Sequence, residues 1–353
     1  MESSSLRARL ADGPWLFSAP LDLAAFLGSA LLALSLLLVG HYLGVLHGDT
    51  PEWAWVPFVL LVDVAHVYST AFRVYLDPDE LKRRALLYTA VPICGFVIGI
   101  AIYSESSVIF WRLLAYFAVF HFVRQQYGWM SLYRSKAKQF DPLTKWIDSV
   151  AIYMATVYPL LYWHANLPRQ FWWFLNDDFQ SIPAVVGDIA AWVYWSAMAA
   201  YVIKSGRDWS RGAGNIGKDI VLLTTAVCWY VGIITFNSDY AFTVTNVIIH
   251  GVPYMVLVFW YMRRRQDRTA GVKRTRAQHL FIFVSTVWLL AYVEELIWDK
   301  AVWHERTWLF GGGIDVGDWA VVIVPLLAVP QLTHYILDGF IWRQRKHVGF
   351  SLS

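Results

Sequence analysis

LGSALLALSLLLVG (27–40) and VVIVPLLAVP (321–330) are runs of aliphatic side chains too long and too evenly apolar for the half-wet face of a soluble helix. A bilayer with a hydrocarbon core about 30 Å thick asks for roughly 20 mostly apolar residues per helical crossing. Working outward from these two stretches, the chain divides into ten such runs, approximately 22–47, 53–75, 84–103, 107–133, 145–164, 184–203, 218–236, 240–262, 279–298 and 318–342. The polar segments between them are short. The sequence therefore reads as all-α: a polytopic integral membrane helical bundle of about ten transmembrane helices, one domain over 1–353. The first twenty residues are polar, with Arg7 and Arg9, and run into a long apolar helix with no small-residue cleavage site. That pattern predicts an uncleaved anchor helix and no signal peptide.

Composition agrees with the runs. Of 353 residues, 58% are hydrophobic or aromatic and only 16% charged, with a mean hydropathy of +0.44, whereas a soluble domain is about a quarter charged. The 20 Trp, 19 Tyr and 21 Phe suit bilayer interfaces and a bulky apolar ligand. Disorder and a secreted disulfide scaffold are excluded. A net charge of +3 is too small to advertise a nucleic-acid partner. Cys94 and Cys228 sit in apolar runs and form no CxxC pair, so they offer neither a disulfide framework nor a thiolate metal site.

Loop charge tests the topology independently. Basic residues follow each even-numbered run: Lys82, Arg83 and Arg84; Arg134, Lys136 and Lys138; Lys204, Arg207 and Arg211; Arg263, Arg264, Arg265, Lys273 and Arg274; Arg343, Arg345 and Lys346. The opposite loops carry Asp49, Glu52, Glu105, Asp177, Asp178, Asp239, Asp315 and Asp318. Under the positive-inside rule both termini are cytoplasmic, and the short loops suit a bacterial inner membrane. Gly95 and Gly99 form one GxxxG, a weak signal. Gly311–Gly313 read as a flexible outer loop, and 165–183 reads as an aromatic and acidic outer segment that lies along the interface as a lid.

Ionisable groups inside hydrocarbon are costly, so each needs a partner or a purpose. The second, fourth, eighth and tenth runs each carry one internal histidine: His66, His121, His250 and His334. Counting back from the cytoplasmic ends, His66 and His334 lie about eight residues in and His121 and His250 about twelve, a shared slab roughly 12–18 Å deep. Each belongs to a polar stripe at helical spacing. The stripes are Asp63, His66, Thr70 and Arg73; His121, Arg124 and Gln125; Asn246, His250 and Tyr254, with Pro253 to kink the helix; and Gln331, His334 and Asp338. A single intramembrane histidine is more often a packing residue than a ligand. Four at one depth, each with a polar neighbour one turn away, point to a shared metal site.

His41 and His47 fall towards the outer end of the first run, and His164, His279, His304 and His347 at helix ends or in loops; all six read as interfacial or solvated. Arg73 reads as a snorkelling side chain. Arg124 beside His121 calls for an acid, Asp63 or Asp338, or for an anionic substrate head. Glu294 and Glu295 read as lining an outer vestibule or pairing with a cation.

Imidazole suits iron, zinc and copper, and open positions beside histidines suit O₂ activation by ferrous iron. No two of the ten histidines are three, four or five residues apart, so the clustered histidine boxes of membrane desaturases and hydroxylases are missing. The leading expectation is an iron-dependent membrane oxidoreductase or oxygenase acting on a lipid-soluble substrate, with an electron donor as partner and membrane lipids around it. The iron is mono- or dinuclear. His66, His121, His250 and His334 are the ligands, Asp63 and Asp338 orient them or join them, and Tyr68, Gln125, Asn246 and Tyr254 line the substrate pocket. A b-type haem protein with axial histidine pairs is the second expectation. A proton-coupled transporter using Asp63, His66 and Asp338 is the third, and zinc accepts the same ligands.

Overall fold

The computed structural model describes residues 13–176, 178–269 and 274–342. Arg7, Arg9, Asp177, Lys273, Arg343, Arg345, Lys346 and His347 lie outside the described residues. Ten long helices carry the fold: α1 Ala19–Tyr42, α2 Glu52–Arg73, α3 Ala85–Glu105, α4 Ser107–Lys136, α5 Pro142–Ala165, α6 Ala184–Ser210, α7 Ile216–Thr235, α8 Asp239–Thr269, α9 Arg276–Trp303 and α10 Gly317–Ile341. Among the described residues there is no β-strand. The chain is a polytopic membrane bundle: nine of these helices are long and apolar enough to cross a bilayer.

The exception is α5, the fifth expected crossing. It is a continuous 24-residue helix, but its Tyr, Trp and Pro residues dilute its hydropathy and its first turns hold Lys145 and Asp148. Asp148 is fully buried and accepts from Lys204 Nζ at 2.8 Å, Lys218 Nζ at 3.1 Å and Arg134. Polar residues that a hydropathy scale counts against a span are here neutralised inside the bundle. The first helix also ends sooner than expected, at Tyr42 rather than 47, because the chain turns at Gly44 with φ +74, a conformation that suits glycine.

Burial ranks the helices from centre to rim. Within its apolar window α8 is 78% buried and α3 only 11%. Around α8 the packing closes a ring: α2 against α8, α8 against α4, α4 against α10, and α10 against α2. These are the four histidine-bearing helices. Two local features shape the ring. In α2, Trp55–Val64 is wound with wider π-type turns before ordinary α-helix resumes at Ala65, a feature frequent at functional sites. In α8, Pro253 removes one main-chain donor a turn beyond His250.

The segment 165–183 is held down tightly. Asp178 accepts main-chain N–H groups from Trp173 at 3.0 Å, Phe174 at 2.6 Å and Leu175 at 3.1 Å. Phe171 and Phe179 pack on Trp163. Arg73 does not snorkel. It is 2% exposed, pairs with Glu80 at 3.2 Å and donates to the Ile341 carbonyl at 2.9 Å. His164 and His279 are buried, contrary to the solvated placement expected for helix ends, whereas His41, His47 and His304 are exposed. His164 sits against Tyr116 Oη at 3.1 Å and the Leu160 carbonyl at 2.6 Å, partners that make its burial affordable.

Glu80, on the short helix Pro78–Arg83 beyond the end of α2, gathers Arg73, Arg83 and Tyr88. Burial alone would raise its carboxyl, but the hydrogen bonds from Arg83 and Tyr88 and the charge of Arg73 outweigh it, leaving it below the ordinary 4.5. A depressed carboxyl contributes stability above its unfolded-state value and loses it as pH falls through the folded value. Glu80→Gln is therefore expected to lower the Tm of the detergent-purified protein most at neutral pH. That difference from wild type should shrink as the pH is taken below 4.5. An equal deficit at all pH values would contradict the ionised contact.

Candidate metal centre

Each of the four central helices delivers its histidine to one point. His66, His121, His250 and His334 are all at most 2% exposed. Each offers a ring nitrogen, and these four nitrogens lie within 4.8 Å of one another. His250 Nε2 is 3.0 Å from His66 Nε2, and His334 Nε2 is 3.1 Å from His121 Nε2. The ring centroids form a closed quadrilateral with sides of 4.6 Å (His66–His250), 5.0 Å (His250–His121), 4.5 Å (His121–His334) and 4.8 Å (His334–His66). Its corner order repeats the packing order of the helices.

The outward-facing nitrogens explain why the Nε2 atoms turn inward. His66 Nδ1 is hydrogen-bonded to the Asp63 main-chain carbonyl, and the Asp63 carboxylate lies 3.6 Å away. His334 Nδ1 is 2.7 Å from Thr70 Oγ1, which in turn is 3.0 Å from the Tyr254 hydroxyl. His121 Nδ1 faces Asp338 at 3.6 Å. A carbonyl and a carboxylate only accept, so they hold the proton on Nδ1 and leave Nε2 as a bare lone pair. The fourth ring, His250, is fixed by stacking on Phe122 at 3.5 Å and 7°, and the Gln125 amide donates to its main-chain carbonyl at 2.8 Å.

The remaining candidates sort by place. Gln125, Tyr254 and Asp338 border a cavity of about 830 Å³ that reaches His121. Asn246 lies one turn from His250 and spends its amide nitrogen on the Phe242 carbonyl at 3.0 Å and Thr245 Oγ1 at 3.1 Å. Tyr68 is engaged with Glu294, whose Oε1 also takes the Trp298 indole at 3.1 Å and Gln331 at 3.3 Å. Arg124 meets neither Asp63 nor Asp338: its partners are the Tyr153 hydroxyl and, at 5.0 Å, the Tyr127 ring. Asp338 points instead to His121.

Sequence reading passed over Phe122, Tyr335 and Gly251. Tyr335 stacks on His121 at 5.1 Å. Nothing distinguishes Phe122 or Tyr335 from 58 other aromatic residues in the chain, beyond the fact that each follows a histidine directly. Gly251, next to His250, was a usable signal. A Cβ there would lie 2.7 Å from Val62 Cγ1 and 3.2 Å from the Val62 carbonyl, so α2 and α8 approach closely one turn from where His66 and His250 meet. Gly251→Val is expected to force the two helices apart, costing about 1–3 kcal/mol. Denaturant titration of the detergent-purified protein would measure it, and a neutral result would contradict the close approach.

We find no matching family model, no matching curated protein and no matching solved structure.

Proposed function

We propose that this protein is a membrane metalloenzyme: an iron-dependent oxidoreductase whose four-histidine centre acts on a lipid-soluble substrate. One observation carries the proposal. Four buried imidazoles from four helices turn Nε2 atoms towards a common point, and three of them have an oxygen beside the opposite nitrogen. His66 and His121, with the proton held on Nδ1, bury bare Nε2 lone pairs in an apolar bundle, and a cation between the rings would give those lone pairs a partner. A single ion is favoured over a pair, because one group of donors spans no more than 4.8 Å.

The donor set fits iron. Imidazole nitrogens are donors that iron accepts, and His66, His121, His250 and His334 would hold the ion between them. Ferrous iron bound there would supply O₂ activation. Haem is disfavoured, since sides of 4.5–5.0 Å leave no slot for a macrocycle among the rings. This chain's own residues do the rest. Asp63, Thr70 and Asp338 orient the rings, Gln125 pins the main chain of α8, and Tyr254 carries a hydroxyl between Thr70 and the cavity wall. Turnover draws on an external electron donor. A bacterial inner membrane with both termini cytoplasmic is the setting that the loop charges and short loops support.

Metal analysis and an absorption spectrum of the detergent-purified protein, prepared without chelators, test the reading. About one iron per chain, no Soret band, and loss of the metal in His121→Ala and His334→Ala are expected. Wild type without metal would refute it, and a Soret band would move the protein to the haem class. Thr70→Val, which removes the oxygen beside His334 Nδ1, should weaken metal affinity by roughly 10–100-fold while the fold persists. Unchanged affinity in that variant would show that Thr70 does not orient the ligand.

A further inference from the structure

FHFVRQQYG and QLTHYILDG each hold a ligand histidine and end on a glycine, Gly128 on α4 and Gly339 on α10. Both glycines border the cavity, and a Cβ built on either meets no atom within 4 Å. The cavity thus exists where two side chains are missing. Along α4 its wall runs from Phe117 to Ser135, a length of about 27 Å at 1.5 Å per residue. Its rim is open to the surroundings of the bundle: Phe117 is 44% and Phe120 62% exposed. In a membrane such a rim faces acyl chains, so an apolar molecule can slide in sideways between α4 and α10.

One cation stands in this largely apolar wall, which one acid, Asp338, also lines. Arg124 lies one turn from His121 and one turn from Gly128, on the cavity side of α4. It is twelve residues short of Lys136, about 18 Å along the axis from that end of the helix. Its partners are neutral, the Tyr153 hydroxyl and the Tyr127 ring, and among the described residues it makes no ion pair. A guanidinium inside the apolar span without a counter-charge is costly. A ligand that brings one negative charge removes the cost.

We propose that the α4–α10 groove binds a single-chain lipid ending in a carboxylate, with the carboxylate on Arg124 and the hydrocarbon laid past Gly128 and Gly339. This names the substrate class of the histidine centre and rests on the reading that the cavity serves that centre. The planar fork of arginine matches a carboxylate bidentately. A phospholipid headgroup stays at the interface, whereas Arg124 lies well inside the span. Placing the carboxylate one helical turn from His121 brings the carbons nearest the acid group, and not the far end of the chain, towards the metal centre.

Competition against radiolabelled oleic acid, bound to the full-length protein in detergent, tests this. Wild type should bind oleic acid at least about tenfold more tightly than methyl oleate, the expected value of one well-made charge-assisted contact. Arg124→Gln should abolish that preference and Arg124→Lys should keep part of it. Gly128→Phe should weaken acid and ester alike by filling the groove, with metal content as in wild type. Equal binding of acid and ester to wild type, or a preference that survives Arg124→Gln, would overturn the assignment. Displacement of oleic acid by phosphatidylglycerol as effective as by oleic acid itself would overturn it too, by giving Arg124 to headgroups. A metal-free wild type that keeps the acid preference would sink the metalloenzyme reading alone, and metal without the preference would sink this one alone.

Discussion

Four imidazole rings held edge to face inside an apolar bundle form the constraint on which the rest of the structure turns. Each ring must be buried, and all must stop at the same level. A membrane interior gives no water to repair a mismatch, so every unmet polar atom costs free energy there. The bundle meets these demands by setting α2, α8, α4 and α10 in a closed ring around the cluster, with the remaining helices packed outside.

Irregularities in the helices sit where that constraint is tightest. The π-type winding of α2 ends at Val64, two residues before His66. Pro253 lies three residues after His250, and Gly251 allows the α2 and α8 backbones to meet between them. Gln125 reaches from α4 to the carbonyl of His250. The charges obey the same economy. Arg73, Asp148, Lys204 and Lys218 are buried in mutual contact or against Glu80, whereas the partners of Arg124 are neutral.

Much of this was legible in the chain itself. His66, His121, His250 and His334 could be placed at one depth because rise per residue and loop charge together convert sequence position into membrane level. Asp63 could be named as a neighbour of His66 because a spacing of three residues shares a helix face, whereas Thr70 and Asp338 serve histidines on other helices, His334 and His121. His164 and His279 were misplaced, since position at a helix end does not reveal whether a neighbouring helix covers it. Arg73 was misread for the same reason: its partner Glu80 lies on a separate short helix beyond the span. On the fifth helix nothing in the local sequence tells that Lys204 and Lys218 reach Asp148 from α6 and α7.

By itself the sequence determined the class of the protein, the number of long helices and the shared level of the four histidines, because hydrophobic length and helical rise are local quantities. It also determined the stripe each ligand belongs to. The tertiary structure decided which helices are neighbours, and with them the order of the four rings, the pairing of His334 with Thr70 across α10 and α2, and the stacking of His250 on Phe122. It alone decided that Gly128 and Gly339 face one another's groove and that Arg124 finds no acid. Those outcomes depend on the rotation of each helix about its axis, which is fixed by packing against partners far away in the chain and is shifted by π-type turns and prolines that a fixed 3.6-residue period does not register.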